Sequence, residues 1–449
     1  MSYSPEDFFY DTPPRIMGSE TEYNVDYLSK KCNFMPFFAE DEYFRESSRD
    51  DGNELWLENG ARFYLDSGGV VEYATPETDS ARSVVAYEKA GEHIVQDLAD
   101  KMKGEPNPTY KRSGYDNVSL DGDVFLERMT AGHHENYATP LYSFEHQGVE
   151  DHPVDRSLKS YLATRAIWAG AGIVSNSGFA LSQKLRSIDF TQHTKRAGAF
   201  SMPKAAYIIE SNKDFNRLEI RLGDGNMSEW AIQQKFALTS LMLRLIEHGS
   251  FPEELYIENS VNHAFTTTLR NGGVDTKSGR MTAATHQRHL AEAALGFAAS
   301  HSEVPTEEVE AAHEVIDACY DIDSLDRDLE GASMLSDRVD WAAKITYMRS
   351  QGVSDFTTKN IRAVAFDLRW EDIKSTGIAR RWYEQFYADR AVSEAEIAQA
   401  RMVPPATRAL ARTAYLSSLA GHHPSSIHWH RVDHKGKFQR FDNLYQTNF

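Results

Sequence analysis

Cysteine is nearly missing from this 449-residue chain: Cys32 and Cys319 are too few and too isolated for a disulfide framework or a thiolate metal centre. Long apolar runs are missing as well, none approaching the roughly 18 residues that a membrane span needs. The opening Met1-Ser2-Tyr3-Ser4-Pro5-Glu6-Asp7 has no basic stretch leading into an apolar one, so a cytoplasmic protein without membrane contact is expected. A Walker-type glycine loop is absent, which excludes the P-loop way of holding phosphates. Positive charge is scarce: 48 Lys and Arg face 67 Asp and Glu, a formal net charge of −19. Such an acidic chain lacks the basic footprint that nucleic acid demands.

The charge deficit is uneven. From Ile373 to Phe449, 11 Lys and Arg outnumber 6 Asp and Glu, whereas the remainder carries 37 against 61. A chain of this length exceeds the usual size of one core, so an acidic body of residues 1–372 and a small basic C-terminal domain of residues 373–449 are expected. A basic domain on an acidic body suits an acidic protein or peptide partner. The competing reading puts Arg380, Arg381, Arg390, Arg408 and Arg412 on solvated helix faces, paired locally with Glu384 and Asp389.

What is abundant is carboxylate on extended segments. In Arg15-Ile16-Met17-Gly18-Ser19-Glu20-Thr21-Glu22-Tyr23, strand alternation sends Glu20 and Glu22 to one face. In Asn59 to Asp66 it does the same for Arg62, Tyr64 and Asp66. A polar excursion from Asp26 to Glu54 separates these strands, and Glu72 and Glu77 follow them. A helix with Asp79 as N-cap carries Val84, Tyr87, Gly91, Ile94, Leu98 and Met102 at helical spacing. Asp116 to Asn136 reads as a hairpin turning at Asp121-Gly122-Asp123, with His133 to Tyr137 on its return strand. From Asn216 to Leu222, Arg217, Glu219 and Arg221 alternate with Leu218, Ile220 and Leu222, as in a sheet with one packed and one polar face. Ser228 caps a helix from Glu229 to His248, and further helices cover 282–300, 306–320 and 337–351, the last with Asp340 and Lys344 one turn apart. A strand carries Asp367, and Ser393 with Glu396 forms a capping box ahead of Pro404-Pro405. The fold class is therefore α+β: an antiparallel-rich curved sheet covered by helices, with a small C-terminal domain.

The sheet-face set is Glu20, Glu22, Tyr64, Asp66, Glu72, His134, Glu135, Arg217, Glu219 and Arg221. Hard carboxylate oxygens suit Mg²⁺, and adjacent arginines suit phosphate. Together they fit a nucleotide triphosphate and transfer of its terminal phosphoryl group, with Arg217, Glu219, Arg221 and His134 toward the nucleotide. Asp66, beside Gly68-Gly69, is the strongest candidate for the chemistry itself.

These motifs resemble the Pup ligase and Pup deamidase/depupylase family. The resemblance is carried by residues 15–23, 59–66, Glu-Tyr-Ala-Thr-Pro-Glu (72–77), Tyr-Glu-Lys-Ala-Gly-Glu (87–92), His-Glu-Asn-Tyr (134–137), Gly-Asp-Gly-Asn-Met-Ser-Glu (223–229), Asp-Trp-Ala-Ala-Lys (340–344) and Pro-Pro-Ala-Thr-Arg-Ala (404–409), in family order. It implies a glutamine-synthetase-like domain acting on Pup, a small acidic disordered modifier whose terminal residue is joined to or released from substrate lysines. By position Asp66 matches the catalytic aspartate, and Glu20, Glu22 and Glu72 match the metal-binding acids. Three departures stand out: Val70-Val71 replace a His-Pro pair, Tyr207 to Lys213 replaces a Thr-Arg-Asp-Glu-Pro segment, and Glu371 to Gly377 replaces a glycine-rich one. Taken as damage to nucleotide handling, with ATP use in doubt and Mg²⁺ retained, they favour a depupylase-type isopeptidase. An ATP-dependent Pup ligase, supported by the short excursion at Asp26 to Glu54, and a non-catalytic Pup-binding regulator are the alternatives.

Overall fold

A computed structural model describes residues 14–25, 44–45, 54–65, 71–101, 110–111, 113–120, 123–130, 132–141, 152–184, 188–191, 204–211, 216–258, 260–270, 272–325, 329–386, 390–419, 424 and 426–449. Strands β1 (Met17–Val25), β2 (Phe44–Arg45), β3 (Glu54–Trp56), β4 (Arg62–Leu65), β5 (Val71–Ala74), β6 (Tyr110–Lys111), β7 (Ser113–Leu120), β8 (Asp123–Thr130) and β9 (His133–Thr139) make up the N-terminal part with helix α1 (Ala81–Lys101). Helix α2 (Pro153–Ala169) and the short strands β10 (Ile173–Ser175), β11 (Gly178–Ala180), β12 (Ile188–Asp189) and β13 (Lys204–Ala205) lead to β14 (Tyr207–Ser211) and β15 (Asn216–Ile220). One sheet runs β14-β15-β9-β1-β5-β4-β3-β2, every neighbouring pair antiparallel, with β6 attached to the end of β1.

Behind the sheet lie α3 (Glu229–Glu247), α4 (Val261–Thr268), α5 (Ala283–Ala298), α6 (Thr306–Asp323), α7 (Asp340–Ser350) and α8 (Ile361–Trp370), with the β16 (Gly273–Thr276) and β17 (Gly279–Thr282) hairpin. The chain closes with α9 (Ile378–Glu384), α10 (Glu394–Ala400), α11 (Arg408–Ser418) and a three-stranded sheet of β18 (Ser426–His428), β19 (Arg431–His434) and β20 (Lys437–Arg440). On β9 the alternation is direct: His133, Glu135, Tyr137 and Thr139 are buried and the residues between them are half-buried. The covered side forms two main apolar clusters. One joins Met17, Tyr137, Leu218 and Ile220 to α1, α2 and α3; the other joins Tyr23, Phe63, Val71 and Tyr73 to Ile94, Val95 and Trp370. The open face therefore carries the polar set.

The α+β architecture follows the expectation, and local details correct it. β7 and β8 pair antiparallel, with the expected turn residues Asp121 and Gly122 outside the described residues, but His133 to Tyr137 forms a separate strand between β1 and β15. The hydroxyl of Ser80, not Asp79, accepts from the N–H of Ser83 at the start of α1, and Glu307 accepts from those of Ala81 and Arg82. Asp367 lies on helix α8, buried, where it accepts from Lys344 and from the N–H of Val174. Asp340 does not pair with Lys344: it accepts from Asn226, from the N–H groups of Met227 and Ser228, and from Tyr383. The Ser228 cap and the Ser393–Glu396 capping box are both present. Among the described residues, no helix is long and apolar enough to cross a membrane.

Candidate functional site

Directly opposed residues share a face, so strand register assembles the polar set. Tyr64 stands opposite Glu72, Glu72 opposite Glu22, Glu20 opposite His134, and Asn136 opposite Glu219. Arg217 and Glu210 face each other across β14 and β15. Segments far apart in sequence thus put one continuous row of charges on the open face. Asp66 lies outside the described residues, as do Gly68 and Gly69.

At the centre, Glu20, Glu72 and His134 bring one ligand atom each to within 4.8 Å of one another. Nδ1 of His134 is 3.4 Å from Glu20 and 3.7 Å from Glu219. Glu72 and Glu219 are almost wholly buried. Carboxylates withdrawn from water in such number need compensating charge. Arg217 supplies part of it, 3.0 Å from Glu219 and 3.4 Å from Glu20, and is oriented by Glu210 at 2.7 Å and by the side-chain oxygen of Asn136 at 2.8 Å. Arg221, just past β15, donates to Glu219 at 2.6 Å. Burial opposes ionisation of Glu20, but its hydrogen bond to His134 and the charge of Arg217 prevail and hold its pKa below the ordinary carboxylate value. The Tyr64 hydroxyl is pushed well above its ordinary pKa by burial and by the negative charges of Glu20 and Glu72, and stays protonated.

Two hard carboxylate oxygens and one imidazole nitrogen, with Glu22 beside them, fit a divalent cation such as Mg²⁺. Glu22 accepts from the backbone N–H of Gly132, and a Cβ at that glycine would lie 2.7 Å from the carboxylate and push it aside. The guanidinium of Arg62 stacks 4.1 Å over the Tyr64 ring and pairs with Glu54. Glu54, Asn136 and Glu210 join this face without having been singled out for it. Asn136 sat inside the His-Glu-Asn-Tyr motif, and its even spacing from His134 was the available signal.

Glu135 is a correction: it faces the helices, fully buried, and binds Arg165 of α2 at 2.5 and 2.8 Å and the hydroxyl of Tyr137 at 2.8 Å. The Asp340–Lys344 helix also lies behind the sheet, where Lys344 binds Asp367, Glu371 and the carbonyl of Gly172. The tail arginines are not uniformly solvated. Arg408 and Arg412 are buried on Glu77, Arg390 pairs with Glu229 and Glu394, and only Arg380 keeps the local Glu384, at 3.8 Å. Asp389 lies outside the described residues.

The model of the Pup-ligase protein family matches residues 33–433. The Pup--protein ligase of Corynebacterium diphtheriae is 27% identical over 445 residues, covering 93% of this chain and 88% of that protein. That of Bifidobacterium longum is 30% identical over 368 residues, covering 74% and 69%. Among solved structures, the ligase PafA in complex with the prokaryotic ubiquitin-like protein Pup superposes with a TM-score of 0.75 at 21% identity, covering 97% of this chain and 90% of that one. PafA in complex with ADP gives 0.69 at 20% identity, covering 88% of each. These structures share the glutamine-synthetase-like α+β fold.

The matched relatives are ligases and overturn the isopeptidase expectation, and the doubt about ATP finds no support beside a neighbour solved with ADP. The physical reason lies in the departures, which are structural. Val71 is fully buried on the covered side, opposite Tyr23, so it removes nothing polar from the open face; Val70 is outside the described residues. Of Tyr207 to Lys213, Tyr207 to Ser211 is a regular strand paired along its length with β15, its Glu210 orienting Arg217, and Asn212 and Lys213 lie outside the described residues. Glu371 to Gly377 is a tight turn closed by an N–H···O bond from Gly377 to Lys374 at 2.8 Å, with Glu371 held by Lys344 and Gln183. The chain belongs to the Pup-ligase family.

Proposed function

We propose that the protein is an ATP-dependent ligase that joins the C-terminal glutamate of Pup to lysine side chains of target proteins. The observation that carries this reading is the Glu20, Glu72 and His134 set beside Arg217 and Arg221, on a chain matched along most of its length to Pup ligases. Mg²⁺ would be held by Glu20, Glu72 and His134 with Glu22 alongside, and when bound it would neutralise phosphate oxygens during phosphoryl transfer. Arg217 and Arg221, fixed by Glu210, Asn136 and Glu219, would add positive charge at the phosphates, Arg217 also reaching the ligand acid Glu20 at 3.4 Å.

The reaction has two steps. Transfer of the terminal phosphoryl group of ATP to the glutamate carboxylate of Pup makes a mixed anhydride, and attack by the target lysine amine forms the isopeptide bond and expels phosphate. Asp66, by its place in the family motif, would take the proton of the attacking amine. Residues 373–449 would serve as the small basic C-terminal domain appended to the 1–372 body, with the exposed Lys435 and Lys437 of the β19–β20 hairpin among the cations that meet acidic Pup. A ligase that draws on ATP would work in the cytoplasm.

The test mixes the purified protein with Pup and a lysine-bearing protein, with and without ATP and Mg²⁺. Conjugates that form only with both, and that Asp66→Asn lowers by at least 100-fold, are expected. Failure to conjugate under these conditions, with cleavage of a preformed Pup conjugate instead, overturns the proposal.

A further inference from the structure

Immediately behind the cation cradle lies a chain of buried polar groups that the ligation chemistry does not use. His133 precedes His134 on β9 and points to the covered side; it, Glu88 of α1 and Lys235 of α3 are all fully buried. Nζ of Lys235 is 3.3 Å from Nδ1 of His133, and Nε2 of His133 is 3.2 and 3.3 Å from the two oxygens of Glu88. An ammonium can only donate, so Nδ1 accepts and Nε2 carries the proton that is donated to Glu88; the tautomer is assigned from these partners. Lys235 is anchored in turn by the carbonyl of Asp224 at 3.0 Å and by the side-chain oxygen of Asn226 at 2.9 Å. Asn226 donates to Asp340 at 2.9 Å and to the carbonyl of Ala169 at 3.1 Å.

Burying an ammonium and a carboxylate on either side of an imidazole is costly, and apolar residues of similar volume would fill the space as well. What the arrangement supplies is direction. Both ring nitrogens of His133 are engaged, from two different helices, at a strand position whose neighbour supplies a cradle nitrogen. The loop that anchors Lys235 also abuts the strand: a Cβ on Gly223 would lie 2.8 Å from the carbonyl of His133 and 2.9 Å from Glu135. A small rotation of β9 about its axis would swing Nδ1 of His134 away from Glu20, and Mg²⁺ tolerates little departure from octahedral geometry.

We infer that Lys235, His133 and Glu88 are positioning residues for the cation cradle: they clamp β9 from its covered side and so hold His134 against Glu20 and Glu72. This inference rests on the reading of that cradle as a divalent-metal site. None of the three touches the reacting atoms.

The experiment titrates Mn²⁺ calorimetrically into the full chain without nucleotide, for the wild type, Lys235→Met and Glu88→Gln, with thermal melting recorded alongside. Outer partners of metal ligands typically cost 10- to 100-fold in metal affinity when removed, and a loss in that range is expected for both variants. Folded variants that bind Mn²⁺ as tightly as the wild type overturn the inference, whatever their melting temperatures, and leave the ligase reading intact. Should Lys235→Met not fold, Glu88→Gln decides alone, since it keeps its shape and an acceptor oxygen for His133. A folded wild type that takes up no Mn²⁺ removes the cradle reading and this inference with it.

Discussion

Glu72 is the most enclosed of the cradle acids, meeting Glu22 on one neighbouring strand and Tyr64 on the other. Replacing it with glutamine keeps the shape and an acceptor oxygen for the Tyr64 hydroxyl but deletes the charge a cation would meet. Glu72→Gln is expected to weaken Mn²⁺ binding on the order of 100-fold with little change in melting temperature, as read by calorimetry. Glu22→Gln keeps an acceptor for the N–H of Gly132 and is expected to lose less, about 10-fold. Equal affinities for both variants and the wild type would mean that neither acid meets the cation. Strand alternation made Glu20, Glu22, Tyr64 and Glu72 legible, because period two fixes relative faces within one segment. Glu135 was misassigned. The same rule contradicts its place in the set, because it is adjacent to His134 on one strand and must face the other side, where Arg165 meets it.

At the scale of elements, Gly91 shows how tertiary packing reverses a local preference. In an isolated helix alanine is favoured over glycine by roughly 1 kcal/mol. Here a Cβ at position 91 of α1 would lie 2.5 Å from the ring of Tyr73 on β5, itself fully buried. Gly91→Ala is therefore expected to destabilise by about 1–3 kcal/mol, an overpacking cost read as a lower denaturation midpoint. A midpoint raised by the substitution would show that α1 can lift off the sheet without penalty. Helix extents were readable wherever a cap stood at the boundary, as at Ser228 and Ser393. Asp367 misled because a short apolar run does not separate a strand from a helix, and its fully buried carboxylate is held by Lys344, one helix away, and by the N–H of Val174.

For the whole molecule, the decisive joint is Glu77. It follows β5 and accepts from Arg408 at 2.7 Å and from Arg412 at 2.9 and 3.1 Å, both arginines on α11, while its carbonyl accepts from Thr407. Arg412 also lies 4.8 Å from the ring of Trp56 and 5.1 Å from that of Trp429, tying β3 to the C-terminal sheet. The uneven charge of the chain was plain from composition, but composition does not reveal that two of the tail's cations are consumed internally by an acid some 330 residues earlier. Burial resists ionisation of Glu77, yet the two guanidinium groups outweigh it and draw its pKa from 4.5 to about 2. A folded-state value below the unfolded one means that this contribution is fully present above pH 4.5 and fades as the pH falls from 4.5 toward 2. The shift corresponds to on the order of 3 kcal/mol, and removing one partner of a buried ion pair costs a similar amount. Glu77→Gln should therefore lower the melting temperature at pH 7, and the gap between variant and wild type should narrow as the pH is taken from 5 to 2.5. A gap that stays constant across that range would show that Glu77 is not what holds α11 and the C-terminal sheet to the β5 end of the main sheet.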